Sequence, residues 1–104
     1  MNAPSSKLKI LLVDDHAVVR AGYRTLLEDV PGLEITGEAD SGDTAVKMFI
    51  DTAPDVAIMD LSLPGIGGLE AIRRIVQRKH DARILAFSMH EDTVFVLQAL
   101  QAGA

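Results

Sequence analysis

Four short apolar segments, each bounded by polar or turn-forming residues, predict four β-strands along the chain. They lie at Leu8–Val13, Leu33–Ala39, Val56–Asp60 and Ala82–Ser88. The first, third and fourth segments contain four consecutive apolar residues, which is typical of strands that are covered on both faces. The second segment alternates apolar and polar positions, so we expect one of its sides to face water.

A first helix is predicted after the first strand, over about residues 15–30. Apolar and small residues recur there at helical spacing, at Val19, Gly22, Tyr23, Leu26, Leu27 and Val30. Asp15 precedes them as a candidate N-cap, where a carboxylate also suits the positive end of the helix. The turn-forming pair Pro31-Gly32 is expected to stop this helix.

Three further helices are predicted, one after each of the later strands. Ser41 caps a helix that runs to about Thr52, a third helix follows the loop Pro64–Gly68, and a fourth opens at Asp92-Thr93. The order is therefore β-α repeated four times. Such alternation requires right-handed crossovers and a parallel sheet, so the pattern predicts an α/β fold.

The composition indicates one globular domain. The chain has 104 residues, 48% hydrophobic and 24% charged, with a net charge of −5 and no cysteine. The acidic balance argues against nucleic-acid binding by this segment, and no apolar run is long enough to span a membrane. Zero cysteines exclude disulfides and fit a cytoplasmic location. Residues 1–7 are expected to be a disordered leader before a domain at 8–104.

Oxygen-bearing side chains follow three of the predicted strands, and they are the candidate chemistry of the chain. Asp14 and Asp15 follow the first strand, Asp60 ends the third, and Ser88 ends the fourth. In an open parallel sheet, ligands bind beyond the carboxyl ends of the strands. Carboxylates that meet there repel each other, so a hard divalent cation is the natural counter-charge. Mg²⁺ beside an open position is suited to phosphoryl transfer.

These residues, in this order, resemble the receiver domain of bacterial two-component response regulators. The resemblance rests on Asp14-Asp15, on Asp60 with Pro64 four residues later, on Gly67-Gly68, and on Ser88 after an apolar strand. It runs from about residue 8 to residue 104. The sequence around these positions is most similar to that of the NarL/FixJ type, notably at Val13-Asp14-Asp15-His16 and Ser88-Met89-His90.

The resemblance implies a fold and a role for each matching residue. The fold would be the flavodoxin-like doubly wound sheet, with strand order 2-1-3-4 and a fifth strand beyond. Asp60 would accept a phosphoryl group from a sensor histidine kinase. Asp14, Asp15, Asp60 and the backbone carbonyl of Ser62 would hold Mg²⁺. Ser88 would be the switch hydroxyl that binds a phosphoryl oxygen.

The resemblance also implies how the domain is used. It would be a signalling domain and not an enzyme, with chemistry limited to its own phosphorylation and dephosphorylation at Asp60. Phosphorylation would favour a homodimer and control a C-terminal helix-turn-helix domain, the only part that would contact DNA. In the family, a fifth strand with a Lys, and then a fifth helix, follow the position of Gly103-Ala104. We therefore expect this chain to be a C-terminally incomplete receiver domain with Ile84–Phe87 as an exposed apolar edge.

Simpler interpretations of the same residues stay open. Asp15 could serve only as a helix cap, Asp60 could begin a turn before Pro64, and Ser88 could cap the next turn. Two rival functions also stay open. One is a receiver-like docking module that is not phosphorylated. The other is a phosphatase with an Asp nucleophile, although such enzymes need a second Asp where this chain has Ser62.

Overall fold

The computed structural model describes residues 7–87, which form four strands and three helices in strict alternation. The elements are β1 Leu8–Val13, α1 Ala17–Glu28, β2 Leu33–Ala39, α2 Gly42–Thr52, β3 Val56–Asp60, α3 Gly67–Arg78 and β4 Ile84–Phe87. Ser88, residues 1–6 of the predicted leader at 1–7, and the predicted fourth helix lie outside the described residues. No helix within residues 7–87 is long and apolar enough to cross a membrane.

The sheet is parallel and has the order β2-β1-β3-β4, which confirms the predicted flavodoxin-like topology. β1 lies between β2 and β3, so its carboxyl end adjoins both neighbours. Val13 pairs with Ala39 on one side and with Met59 on the other. Residues that follow Val13 and Met59 therefore emerge side by side at the same edge of the sheet.

The apolar core lies between the sheet and the two helices α2 and α3. Alternate residues of β1 and β3 fill it from the sheet, because successive side chains of a strand point to opposite faces. Its fully buried members include Leu11, Val13, Ala45, Phe49, Ala57, Met59, Ala71, Ile72 and Ile75. Ser41 is the N-cap of α2, and its hydroxyl accepts a hydrogen bond from the backbone N–H of Thr44 at 3.2 Å, as predicted. The core thus fixes β3 rigidly behind Asp60.

The beginning of α1 differs from the prediction. His16, not Asp15, is the N-cap residue, and no side chain caps the helix there. The predicted apolar face is also incomplete, since α1 has no buried residue and Leu26 is 70% exposed. The spacing of apolar residues in the sequence does not show which of them become buried when α1 packs on the sheet. Polar contacts from Arg20 and Arg24 to Glu38 on β2 supplement the partial packing of this helix.

The helix α3 begins earlier than predicted, at Gly67 and Gly68 instead of after them. Gly68 is buried against the end of β3, where a Cβ atom would lie 2.7 Å from the carbonyl oxygen of Asp60. Only a residue without a side chain lets the helix approach the strand so closely. The first turn of α3 therefore packs directly against the end of β3 at Asp60.

Candidate functional site

The ends of β1 and β3 bring three carboxylates together. Asp14 and Asp15 directly follow β1, and Asp60 is the last residue of β3. Oxygen atoms of these carboxylates and a ring nitrogen of His16 all lie within 4.8 Å of one another. Asp14 and Asp60 are buried, with 1% and 0% of their surface exposed, while Asp15 is exposed. We refer to Asp14, Asp15 and Asp60 as the acidic cluster.

In the part of the chain that the structure describes, each buried carboxylate of the cluster has one hydrogen-bonded oxygen and one without a partner. Oδ1 of Asp60 accepts a hydrogen bond from the backbone N–H of Ser62 at 2.9 Å. Oδ1 of Asp14 accepts one from the backbone N–H of His16 at 2.8 Å. Oδ2 of Asp14 and Oδ2 of Asp60 are buried and have no hydrogen-bond partner among the described residues. These two oxygens are thus oriented but unsatisfied.

This donor set fits a hard divalent cation. An unpaired buried carboxylate oxygen is costly because it has lost water without gaining a donor. Mg²⁺ prefers oxygen ligands and is usually bound through one or two carboxylates together with waters. The unpartnered oxygens of Asp14 and Asp60, with the more exposed Asp15 beside them, supply that chemistry. The arrangement gives a physical reason for two buried acids that packing alone would not keep.

Burial raises the pKa of the Asp60 carboxyl above its usual range. The negative charges of Asp14 and Asp15 raise it further, while the hydrogen bond from the Ser62 N–H and the nearby His16 act in the opposite direction. Proximity to like charges and desolvation both disfavour the ionised form. A bound cation would reverse that balance and keep Asp60 ionised.

His16, which directly follows Asp15, lies at the rim of the acidic cluster. Its Nδ1 lies 3.0 Å from Oδ1 of Asp14 and 3.0 Å from Oδ1 of Asp15, although its side chain is 57% exposed. The hydrogen bond to Asp14 is the largest cause of the raised pKa of the imidazole, followed by the charge of Asp15. The absence of an i,i+4 histidine pair argues against a histidine metal site, but it does not exclude a histidine on the rim.

The remaining predicted site residues fall into two groups. Ser62 lies at the cluster through its backbone N–H, and the metal role of its carbonyl stays a prediction. Ser88 lies outside the described residues, and its switch role stays a prediction too.

Two charged residues near the cluster were not among the predicted site residues. Arg20 on α1 hydrogen-bonds both Glu38 on β2 and the backbone carbonyl of Asp14. A sequence signal existed, because Arg20 lies one helical turn after His16 and Glu38 lies just before the end of β2. Recognising it would have required the strand order, which places β2 beside β1.

Comparison with known proteins gives one consistent result. The family model for the response regulator receiver domain matches residues 10–104. The chain is 46% identical over 97 residues to the response regulator UvrY of Escherichia coli K12, and 43% identical over 97 residues to the response regulator GacA of Pseudomonas syringae. Each match covers 93% of this chain but only 44% of UvrY and 45% of GacA, so the chain spans less than half the length of these relatives.

A solved structure is similar over nearly the whole chain. The two-component response regulator of the LuxR family from Aurantimonas sp. SI85-9A1 is 48% identical and superposes with a TM-score of 0.90. The similarity covers 95% of this chain and 71% of that one. Sequence and fold therefore agree on the same class of domain.

Proposed function

The chain belongs to the response regulator receiver domain family, and we propose that it accepts a phosphoryl group on Asp60 from a sensor histidine kinase. The observation that carries this proposal is the state of the Asp60 carboxylate. It is buried at the end of β3, one oxygen is held by the Ser62 N–H, and the other has no hydrogen-bond partner within residues 7–87. A carboxylate kept this way is oriented for attack and has a lone pair available.

The reaction is a transfer between two residues. A carboxylate oxygen of Asp60 attacks phosphorus of a phosphohistidine, the P–N bond breaks, and the histidine nitrogen retains the electron pair. The Ser62 N–H orients the Asp60 carboxylate during this step. Asp14, Asp15, Asp60 and the carbonyl of Ser62 would hold Mg²⁺, which neutralises charge on the transferred group when it is bound.

The rest of the proposal concerns the output of the switch. Phosphorylation would shift a pre-existing equilibrium towards an active conformation, with Ser88 as the hydroxyl that binds the phosphoryl group. The active form would dimerise and act through a DNA-binding domain elsewhere in a longer cytoplasmic regulator. The similarity to LuxR-family regulators and the larger size of UvrY and GacA support this part. The domain itself is a signalling domain and not a classical enzyme.

The test is incubation of the chain with acetyl phosphate, once with Mg²⁺ and once with excess EDTA. We expect a single added phosphoryl group in Mg²⁺, detected by intact-mass analysis, that is lost on treatment with hydroxylamine as an acyl phosphate should be. Almost no labelling is expected in EDTA. Peptide mapping is expected to place the label on Asp60.

Other outcomes of the same experiment identify the rival functions. A chain that is never labelled in Mg²⁺ would contradict the proposal and favour a docking module. Rapid turnover of varied phosphate esters would instead favour a phosphatase. Such a phosphatase requires a general acid two residues after its Asp nucleophile. Here that position is Ser62, which cannot act as a general acid.

A further inference from the structure

Arg20 connects two structural elements that meet at the acidic cluster. Its Nε donates a hydrogen bond to Oε1 of Glu38 on β2 at 2.9 Å, and its Nη1 donates to the backbone carbonyl of Asp14. The Arg20 side chain is largely buried, at 18% exposed. Because the guanidinium is planar and rigid, these two bonds fix the position of Asp14 relative to β2.

Glu38 is held from a second direction by Arg24. Nε of Arg24 donates to Oε2 of Glu38 at 2.8 Å, and its Nη2 lies 2.6 Å from the same oxygen. The hydrogen bond from Arg24 is the largest cause of the lowered pKa of Glu38. Within the described residues, the side-chain hydrogen bonds of Arg24 go to Glu38 and not to Asp14. Arg24 therefore shares the ion pair with Arg20 but not the contact with the cluster.

The turn after β1 is tied to β2 at its first residue, where the backbone N–H of Asp14 donates to the carbonyl of Ala39 at 3.0 Å, and Arg20 adds a second tie at the carbonyl of Asp14. Asp14 and Asp15 lie on the segment between β1 and α1, and α1 contributes no buried residue that would fix this segment by packing. Residues that orient metal ligands from behind commonly control affinity for the metal. We infer that Arg20 is a positioning residue, which holds the Asp14–Asp15 turn in place for a divalent cation through the Asp14 carbonyl and Glu38. This inference rests on the proposed function, since it requires the cluster to bind a cation.

Because Arg20 is charged, a positioning role and a purely electrostatic role predict opposite changes in cation affinity when Arg20 is replaced. Arg20 is a cation close to an acidic cluster, so simple Coulomb repulsion predicts that its removal tightens binding of a divalent cation. A positioning role predicts the opposite, because the Asp14–Asp15 turn would lose its anchor. The change in the dissociation constant of the cation on removal of Arg20 therefore distinguishes the two explanations.

The experiment measures binding of Mn²⁺ to the chain from the electron paramagnetic resonance signal of free Mn²⁺. The variants are Arg20→Met, Arg20→Lys and Arg24→Met, each checked for folding by circular dichroism. We expect Arg20→Met to raise the dissociation constant about tenfold. We expect Arg20→Lys to raise it as well, because one ammonium keeps the charge but not the rigid fork. Arg24→Met, the matched control, is expected to stay within about twofold of the parent chain.

Each result decides a different question. Binding by Arg20→Met that equals or exceeds that of the parent would overturn the positioning role. Equal weakening in Arg24→Met would overturn it too, because the effect would then come from attachment of α1 in general. If Arg20→Met does not fold, Arg20→Lys decides by the same criterion. A parent chain that does not bind Mn²⁺ would refute the metal site of the proposed function before any variant is compared.

Discussion

Asp60→Asn is expected to abolish labelling by acetyl phosphate and, in the absence of divalent cations, to stabilise the fold. Labelling is lost because a carboxamide is not a nucleophile for phosphorus. Stability increases because the substitution removes a buried charge beside Asp14 and Asp15, while the amide oxygen still accepts the Ser62 N–H. We expect the free energy of unfolding to rise by about 1–3 kcal/mol, the usual scale for a buried polar group that lacks a partner.

The dependence on pH follows from the raised pKa of Asp60. An acid whose pKa is higher in the folded state binds its proton more tightly there, so its contribution favours folding at low pH. That contribution is lost as the pH rises through the raised pKa. The advantage of Asp60→Asn over the parent should therefore be absent in acid and grow towards neutral pH. Urea denaturation in excess EDTA at several pH values measures it.

Mg²⁺ should reverse this order, and the reversal is the more specific result. A ligand that binds only the folded state adds about 4.1 kcal/mol when its free concentration is about 1,000 times its dissociation constant, which exceeds the advantage of about 1–3 kcal/mol expected for Asp60→Asn. The parent should gain that stability and Asp60→Asn should gain much less. Asp51→Asn, which neutralises an exposed aspartate in the last turn of α2, is the control and should behave like the parent. If Asp60→Asn is less stable than the parent in EDTA, the buried charge of Asp60 does not destabilise the folded state.

The fold and the three acids of the cluster could be predicted because each depends on local pattern. Four consecutive apolar residues in β1 and in β3 predict strands that are buried on both faces, and parallel strands place their ends at one edge. Asp14 and Asp60 then have to be neighbours. That step needs only the order of the elements and no detail of packing.

The features that could not be predicted depend on contacts between distant parts of the chain. Asp15 satisfies every local rule for an N-cap, yet His16 occupies that position, and Asp15 lies within 3.0 Å of the His16 ring instead. The contact of Arg20 with Glu38 joins residues that are 18 positions apart, on a helix and a neighbouring strand. Propensity cannot decide such cases, because the energy comes from partners that local sequence does not identify.

Gly68→Ala is expected to destabilise the fold even though alanine is the better helix former. A Cβ atom at residue 68 would lie 2.6 Å from Cα of Leu61 and 2.7 Å from the carbonyl oxygen of Asp60. Both are backbone atoms, so no side chain can rotate away, and α3 or the end of β3 must shift. Overpacking of this kind costs about 1–3 kcal/mol, which exceeds the gain of about 1 kcal/mol in helix propensity. Urea denaturation measures the net loss.

Gly22→Ala is the matched control, because it makes the same substitution inside a helix without the contact. Gly22 lies on the exposed side of α1, and a Cβ there would meet no atom within 4 Å. It should therefore stabilise the fold by up to about 1 kcal/mol, so the two variants should differ in sign. Since the shift in Gly68→Ala occurs at Asp60 itself, this variant should also bind Mn²⁺ more weakly, while Gly22→Ala should bind it like the parent. Equal stabilisation by both substitutions would mean that α3 does not press against the end of β3, and that Asp60 is positioned without it.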